Sequence, residues 1–175
     1  MADACKSILA VDPVDPSSAP GGLPGPPPLA PFGLRLQHDG RFTHEGIGIA
    51  NRRLRAHFDR SVEYLPRERK YIVRLKHFRG EIEVEEAAFF VRSLDLATGE
   101  MRISDGSQEK LKVSTLTVSL IDGALLCLIK RDQSVGGLPA RFSHSVHAEF
   151  GQAVELIDSG FVISIGGQRK SCPEF

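Results

Sequence analysis

Two fifteen-residue stretches that align without a gap constrain this chain more than anything else in it. "NRRLRAHFDRSVEYL" (51–65) and "SHSVHAEFGQAVELI" (143–157) start 92 positions apart and share Ala56/Ala148, Phe58/Phe150, Val62/Val154 and Glu63/Glu155. Each opens on a residue suited to cap a helix, Asn51 or Ser143. Each then carries one apolar stripe, Leu54, Phe58, Val62 and Leu65 in the first and Val146, Phe150, Val154 and Ile157 in the second. The spacing predicts two amphipathic helices over 51–65 and 143–157, the first stopped by Pro66. A strand pattern follows each, "YIVRL" (71–75) and "FVISI" (161–165), so the order of elements repeats along with the pattern.

Outside these stretches the alternation has period two. "FGLRLQHDGRFTHEGIGI" reads as short strands turned at Asp39-Gly40, "EMRISDGSQEKL" turns at Asp105-Gly106, and "TLTVSLIDGALLCLIKR" turns at Asp122-Gly123, each an Asp-Gly hairpin dipeptide. "KYIVRLKHF" and "GEIEVEEAAFFVRSLDL" place Tyr71, Val73 and Leu75, then Ile82 and Val84, on single faces. The predicted class is α+β and β-rich, built as two small, similar sheet-plus-helix units at 32–95 and 96–175. Eight of the eleven prolines precede residue 32, in "DPVDPSSAPGGLPGPPPLAP", a composition too poor in apolar surface to offset chain entropy, so 1–31 reads as a disordered tail.

Charge and cysteine usage narrow the function classes. With 22 basic and 22 acidic residues the chain has no bulk field for nucleic acid or anionic lipid, so charge-driven binding would need a local patch. The three cysteines, Cys5, Cys127 and Cys172, are odd in number and too scattered for a disulfide framework or zinc spacing, which points to a reducing compartment and a cytoplasmic protein. The short apolar run around Ile8–Val11 is too brief for a signal sequence or a spanning helix, so no membrane partner is expected.

Motif chemistry is sparse. "HEGIG" lacks the second histidine that a zinc-binding helix needs, and His144 with His147 at i, i+3 fits a polar helix face. No G-x-S-x-G elbow or phosphate-cradling glycine loop is present, and Cys127, inside "ALLCLIK", reads as a strand-core thiol. The expectation is a non-enzymatic protein without metal or cofactor.

The same segments resemble a bacterial family of unknown function, DUF1285. "HEGIGIANRRLRAHF", "YIVRL" and "IEVEEAAFF" carry the resemblance through Gly46, Ile49, Arg53, Leu54, Phe58, Tyr71, Val84, Glu85, Ala87 and Phe89. "ISDGSQEKL", "DGALLCLIK" and "ARFSHSVHAEF" keep a similar order, so it spans roughly 37–172. Phe42, Gly48, Glu86 and Ala88 depart from the family pattern, as in a divergent member. The resemblance implies two α+β units with repeated motifs, no established activity, and an association with signalling or regulation.

Charge is segregated locally. Residues 51–79 hold ten Lys or Arg against three acids, and 81–109 hold eight acids against Arg92 and Arg102. The blocks are expected to neutralise each other across antiparallel strands, with Arg74 or Lys76 opposite Glu81, Glu83 or Glu85. The leading functional reading is a ligand-binding or regulatory module with a small ligand or protein partner at the seam between units. It would use His44, Glu45, Arg53, Glu85 and Glu86, which are polar, lie in the segments of resemblance and gather if the hairpin neighbours the "VEEAAFF" strand. The alternative is a phosphoanion or RNA binder using Arg52, Arg53, Arg55 and Arg60 on the basic face of the first helix.

Overall fold

The computed structural model of the protein describes residues 29–76, 78–157 and 160–171. Most of the proposed tail, together with Cys5, His77 and Cys172, lies outside them. Strand β1 (Ala30–Leu36) begins inside the stretch assigned to the tail, because Ala30 and Pro31 already pair with Gly80 and Glu81.

The chain then runs through β2 (Phe42–His44), β3 (Ile47–Gly48), α1 (Arg52–Ser61), β4 (Val62–Leu65), β5 (Lys70–Leu75) and β6 (Phe78–Val84). These strands form one six-stranded sheet, sheet A, in the order β3-β2-β1-β6-β5-β4. It consists of two antiparallel three-stranded meanders joined by one parallel pair, β1 with β6. Next come β7 (Phe89–Leu94), β8 (Glu100–Ile103), β9 (Gln108–Lys110), β10 (Thr117–Val118), β11 (Leu125–Ile129) and β12 (Leu138–Phe142). They form sheet B, in the order β10-β11-β12-β7-β8-β9, again two meanders closed by a parallel pair, β7 with β12. A single 3-10 turn, Val113–Thr115, stands where α1 stands in sheet A. Finally α2 (His144–Phe150) leads into β13 (Val154–Ile157), β14 (Gly160–Ile165) and β15 (Gln168–Ser171), a third, three-stranded sheet.

The α+β class and the repeat are therefore present, but the repeating unit is the meander. The sheets divide between β6 and β7, not at 95/96, because β7 pairs with β8 and β12 of sheet B. The aligned stretches also behave alike in a way their stripes concealed. Both are helical at the start, and both change to strand at the same aligned position, after Ser61 and after Ala153. The helix expected over 51–65 ends at Ser61 because Val62–Leu65 pair with Lys70–Val73. Val62 sits where a helical stripe and a strand face coincide, and its β-branched side chain suits the strand.

Local chemistry explains the ends. Asn51 caps α1 as expected, its Oδ1 accepting from the backbone N–H of Arg53 and Leu54. Ser143 occupies the cap position of α2, but its hydroxyl caps no backbone N–H and lies 3.3 Å from Ser145 Oγ. The Asp39-Gly40, Asp105-Gly106 and Asp122-Gly123 turns all form, with Gly40 at φ 82°.

Each helix buries its repeated phenylalanine against a ring of the meander before it. Phe58 meets Phe42 at 5.4 Å and Phe150 meets Phe142 at 5.8 Å, all four rings buried. Leu54, the first stripe position, stays 40% exposed, whereas its counterpart Val146 is buried. One apolar cluster runs from Leu34 and Phe42 in sheet A through Phe89 and Val91 to Ile163 and Ile165 in the last sheet. The final hairpin docks on sheet B through Gly166, whose N–H donates to Leu96 O and where a Cβ would lie 2.8 Å from Thr98 O.

A shared core predicts cooperative loss. Phe58→Ala and Phe150→Ala should each destabilise by about 3–5 kcal/mol in urea titrations. Far-UV circular dichroism and the fluorescence of Tyr64 and Tyr71, both in sheet A, should give one midpoint. Separate midpoints would mean that the sheets unfold independently.

Candidate functional site

The two parallel pairs determine which groups meet. β1 and β6 run side by side, so the turn after β1 and the linker after β6 emerge together, and Glu85 N–H donates to Leu36 O. The linker, residues 85–88, passes directly into β7, the seam strand of sheet B. Its two neighbouring carboxylates engage opposite sheets. Glu85 accepts from the backbone N–H (2.8 Å) and Nδ1 (2.9 Å) of His38 in the β1–β2 turn, with Arg35 at 3.7 Å. Glu86 accepts from Arg141 Nη1 of β12 at 2.6 Å and from the Ser119 hydroxyl.

Arg141 is the centre of this arrangement. It is 5% exposed, set between buried Ala140 and Phe142, and its second nitrogen reaches Asp122 in the β10–β11 turn. Burying a guanidinium is costly unless its hydrogens are satisfied, which Glu86, Asp122 and Ser119 do. The hydrogen bond from Arg141 holds the Asp122 carboxyl below its ordinary range, with smaller help from the Ala124 N–H and from nearby His38. The His38 backbone N–H, then its ring, does the same for Glu85.

Arg141 and Asp122 form part of the wall of a cleft of about 640 Å³ between the β1–β2 turn, sheet B and α2. Asp39, Arg92, His144 and His147 line the remainder. Arg92 lies over the Phe90 ring, 5.4 Å from its centroid, and pairs with Asp59 of α1 at 2.7 Å. Burial raises the Asp59 carboxyl above its ordinary range despite that partner. Among the described residues no group of three His, Cys, Asp or Glu side chains is placed to hold a metal ion, and no helix is long and apolar enough to cross a membrane.

The five residues singled out from sequence do not converge. Glu85 and Glu86 sit at the junction of the sheets. His44 lies at the far end of β2, its ring 5.6 Å from Phe32. Glu45 occupies the β2–β3 turn in the left-handed region (φ 50°) and lines a separate cleft of about 550 Å³ with Glu81 and Glu83. Arg53 is exposed on α1. Of the basic set, Arg52 and Arg53 have no ion pair among the described residues, Arg60 Nε donates to Ala56 O, and Arg55 turns inward. The basic and acidic blocks meet only in part, and with different partners from those expected. Lys70 pairs with Glu81, while Arg74, which lies opposite Arg79, reaches back to Glu63. Cys127 is a core thiol as expected, pushed up to about 12 chiefly by burial.

Sequence reading missed Arg141, Ser119 and Asp122. A lone arginine in "LPARFS" matches no motif. The available signal was its position in a strand whose neighbours are all apolar, where a charge must find partners.

Against solved structures, the chain superposes on a DUF1285 family protein from Silicibacter pomeroyi with a TM-score of 0.54, over 83% of this chain and 86% of that one. The chain has a DUF1285-like fold. Sequence identity is 16%, so the likeness is one of fold. A DUF1285 family protein from Shewanella baltica superposes with a TM-score of 0.46 at 12% identity, over 70% of this chain and 91% of that one. No protein-family model and no curated protein matches the sequence.

Two measurements check the junction. Arg141→Met strands the nearly buried Glu86 carboxylate and should cost about 3–5 kcal/mol, whereas Arg92→Ala, at a 42% exposed side chain, should cost below about 1 kcal/mol. Glu85 and Asp122 have lowered folded-state values, so the stability they supply is present above the unfolded carboxylate range and lost as pH falls through the lowered values. Asp59, raised, acts in the opposite sense. The gap in melting temperature between wild type and Glu85→Gln should therefore narrow as pH is lowered through and below the ordinary glutamate range. A gap that stays constant as pH falls would remove His38–Glu85 as a titrating contact.

Proposed function

We propose that the chain is a non-enzymatic module that binds a small polar ligand in the cleft walled by Arg141, and that occupancy there biases how the two sheets are held together. The observation that carries this reading is a guanidinium only 5% exposed in the wall of a 640 Å³ cleft, satisfied by side chains from two distant segments. Such a group costs more to bury than an apolar residue of its size, so its value lies in specifying geometry or meeting a ligand. The cleft's lining charges are balanced, Asp39 and Asp122 against Arg92 and Arg141, which suits a ligand with both a cationic and an anionic group. The Ser119 hydroxyl, 3% exposed and donated to Glu86, serves the arginine and is a poor nucleophile. Glu85 and Glu86 give the site its regulatory character, because a ligand that draws on Arg141 loosens the Glu86 contact while Glu85 stays with sheet A. The cysteine usage supports work in the cytoplasm.

Amide chemical-shift titration with a panel of zwitterionic amino acids, alongside simple amines and carboxylates, tests this. At least one zwitterion should shift the amides of Arg92, Asp122, Arg141, His144 and His147 saturably. Arg92→Ala and His147→Ala should weaken that response about fivefold or more. If no zwitterion produces saturable shifts there, or if both variants respond as wild type does, the cleft is not the site.

A further inference from the structure

A smaller cavity, of about 350 Å³, lies beneath the start of α1 and differs from the cleft in charge. Gln37, Arg41 and Thr43 of the first hairpin, the 48–50 segment and Arg55 line it, and no carboxylate does. Arg55 Nε is buried and has no hydrogen-bond acceptor among the described residues. Buried donors of this kind are almost always satisfied, by protein, water or a bound group.

Helix electrostatics point the same way. The first turn of α1 holds no acidic residue, while Arg52, Arg53 and Arg55 crowd the end where the macrodipole already favours an anion. Asp59, one turn on, feels Arg55, but its hydrogen-bonded partner is Arg92. Asn51 already holds the N–H groups of Arg53 and Leu54, so the helix terminus itself is capped and the unsatisfied donor is Nε of the half-buried Arg55 side chain.

We infer that this cavity is an oxyanion site taking the phosphoryl group of a small phosphomonoester. Arg55, which lines the cavity, supplies one guanidinium, and the exposed Arg41 guanidinium closes the mouth. Arg41 is now held by Asp39 at 2.5 Å, a surface pair that a doubly charged anion can outcompete. The volume exceeds that of phosphate alone, leaving room for a small organic body against Phe42 and Ile49. Apart from the Asp39–Arg41 contact, the inference draws on no residue of the Arg141 cleft, so either reading can fail without the other.

The test is thermal melting of the full chain with inorganic phosphate, glycerol phosphate or a mixed-sequence RNA of about twenty nucleotides, each matched in ionic strength with sodium chloride. Phosphate and glycerol phosphate should raise the melting temperature saturably, glycerol phosphate at the lower concentration. Arg55→Gln should weaken both at least about tenfold. Arg41→Ala, at a 68% exposed side chain, should do the same with no change in the ligand-free melt, which covers the case in which Arg55→Gln folds poorly. Arg67→Ala, an exposed arginine outside the cavity, should stay within about twofold of wild type. Three results would overturn the site: sodium chloride producing the same rise, Arg67→Ala losing as much as Arg55→Gln, or a response to RNA with none to either small phosphate.

Discussion

The parallel pairing of β1 with β6, echoed by β7 with β12, is the constraint on which the rest of the structure depends. An antiparallel meander has its first and last strands at opposite edges. Closing two meanders through one parallel pair brings the chain's entry and exit strands to the middle of the sheet, so sheet A hands over to sheet B from the centre of one to the centre of the other. The four-residue linker that crosses between them carries adjacent carboxylates and bends at both of them. Across this bend Glu85 meets His38 of sheet A and Glu86 meets Arg141 of sheet B.

That topology also explains how much was legible. Caps, turns and stripes are local, and Asn51, the Asp-Gly hairpins and the buried pair Phe58 and Phe150 follow from spacing alone. The change from helix to strand after Ser61 and Ala153 was hidden because Val62 and Val154 satisfy both periodicities, and only pairing with β5 and β14 decides between them. The boundary between units was misplaced for a related reason. "GEIEVEEAAFFVRSLDL" reads as one alternating segment, yet it contains the end of β6, the linker and β7, which belong to different sheets. Glu85 and Glu86 were found because they lie in that segment. His44, Glu45 and Arg53 were grouped with them on the strength of hairpin adjacency, but that adjacency places them at the other end of β2 or on the helix.

Charge segregation along the chain turns out to be mostly internal. The basic block is interleaved with its own acids, as Arg74 with Glu63, and tied to the acidic block by Lys70 with Glu81. These pairs are substantially exposed and contribute little to stability each. The polar contacts with larger energetic weight are those nearly out of solvent: Arg141 with Glu86, and Lys130 with Asp105, where both side chains are below 15% exposed. Burial pushes the Asp105 carboxyl up, but Lys130 and Ser107 more than offset it, leaving it below its ordinary range. Both lie on sheet B.

The first hairpin turn lies between the two cavities and joins them by one contact. Arg41 lines the smaller cavity, Asp39 lines the Arg141 cleft, and the two side chains pair across Gly40. An anion that takes Arg41 leaves Asp39 free to turn toward the cleft, adding negative charge where Asp122 already stands. A cationic group in the cleft that engages Asp39 frees Arg41 in turn. Linkage requires the two effects to be equal in free energy. Because the connecting pair is exposed and worth at most about 1 kcal/mol, the coupling cannot exceed roughly fivefold in affinity in either direction. A larger coupling would need the stronger contacts at Glu85 and Glu86, and so a change in how the sheets themselves are joined.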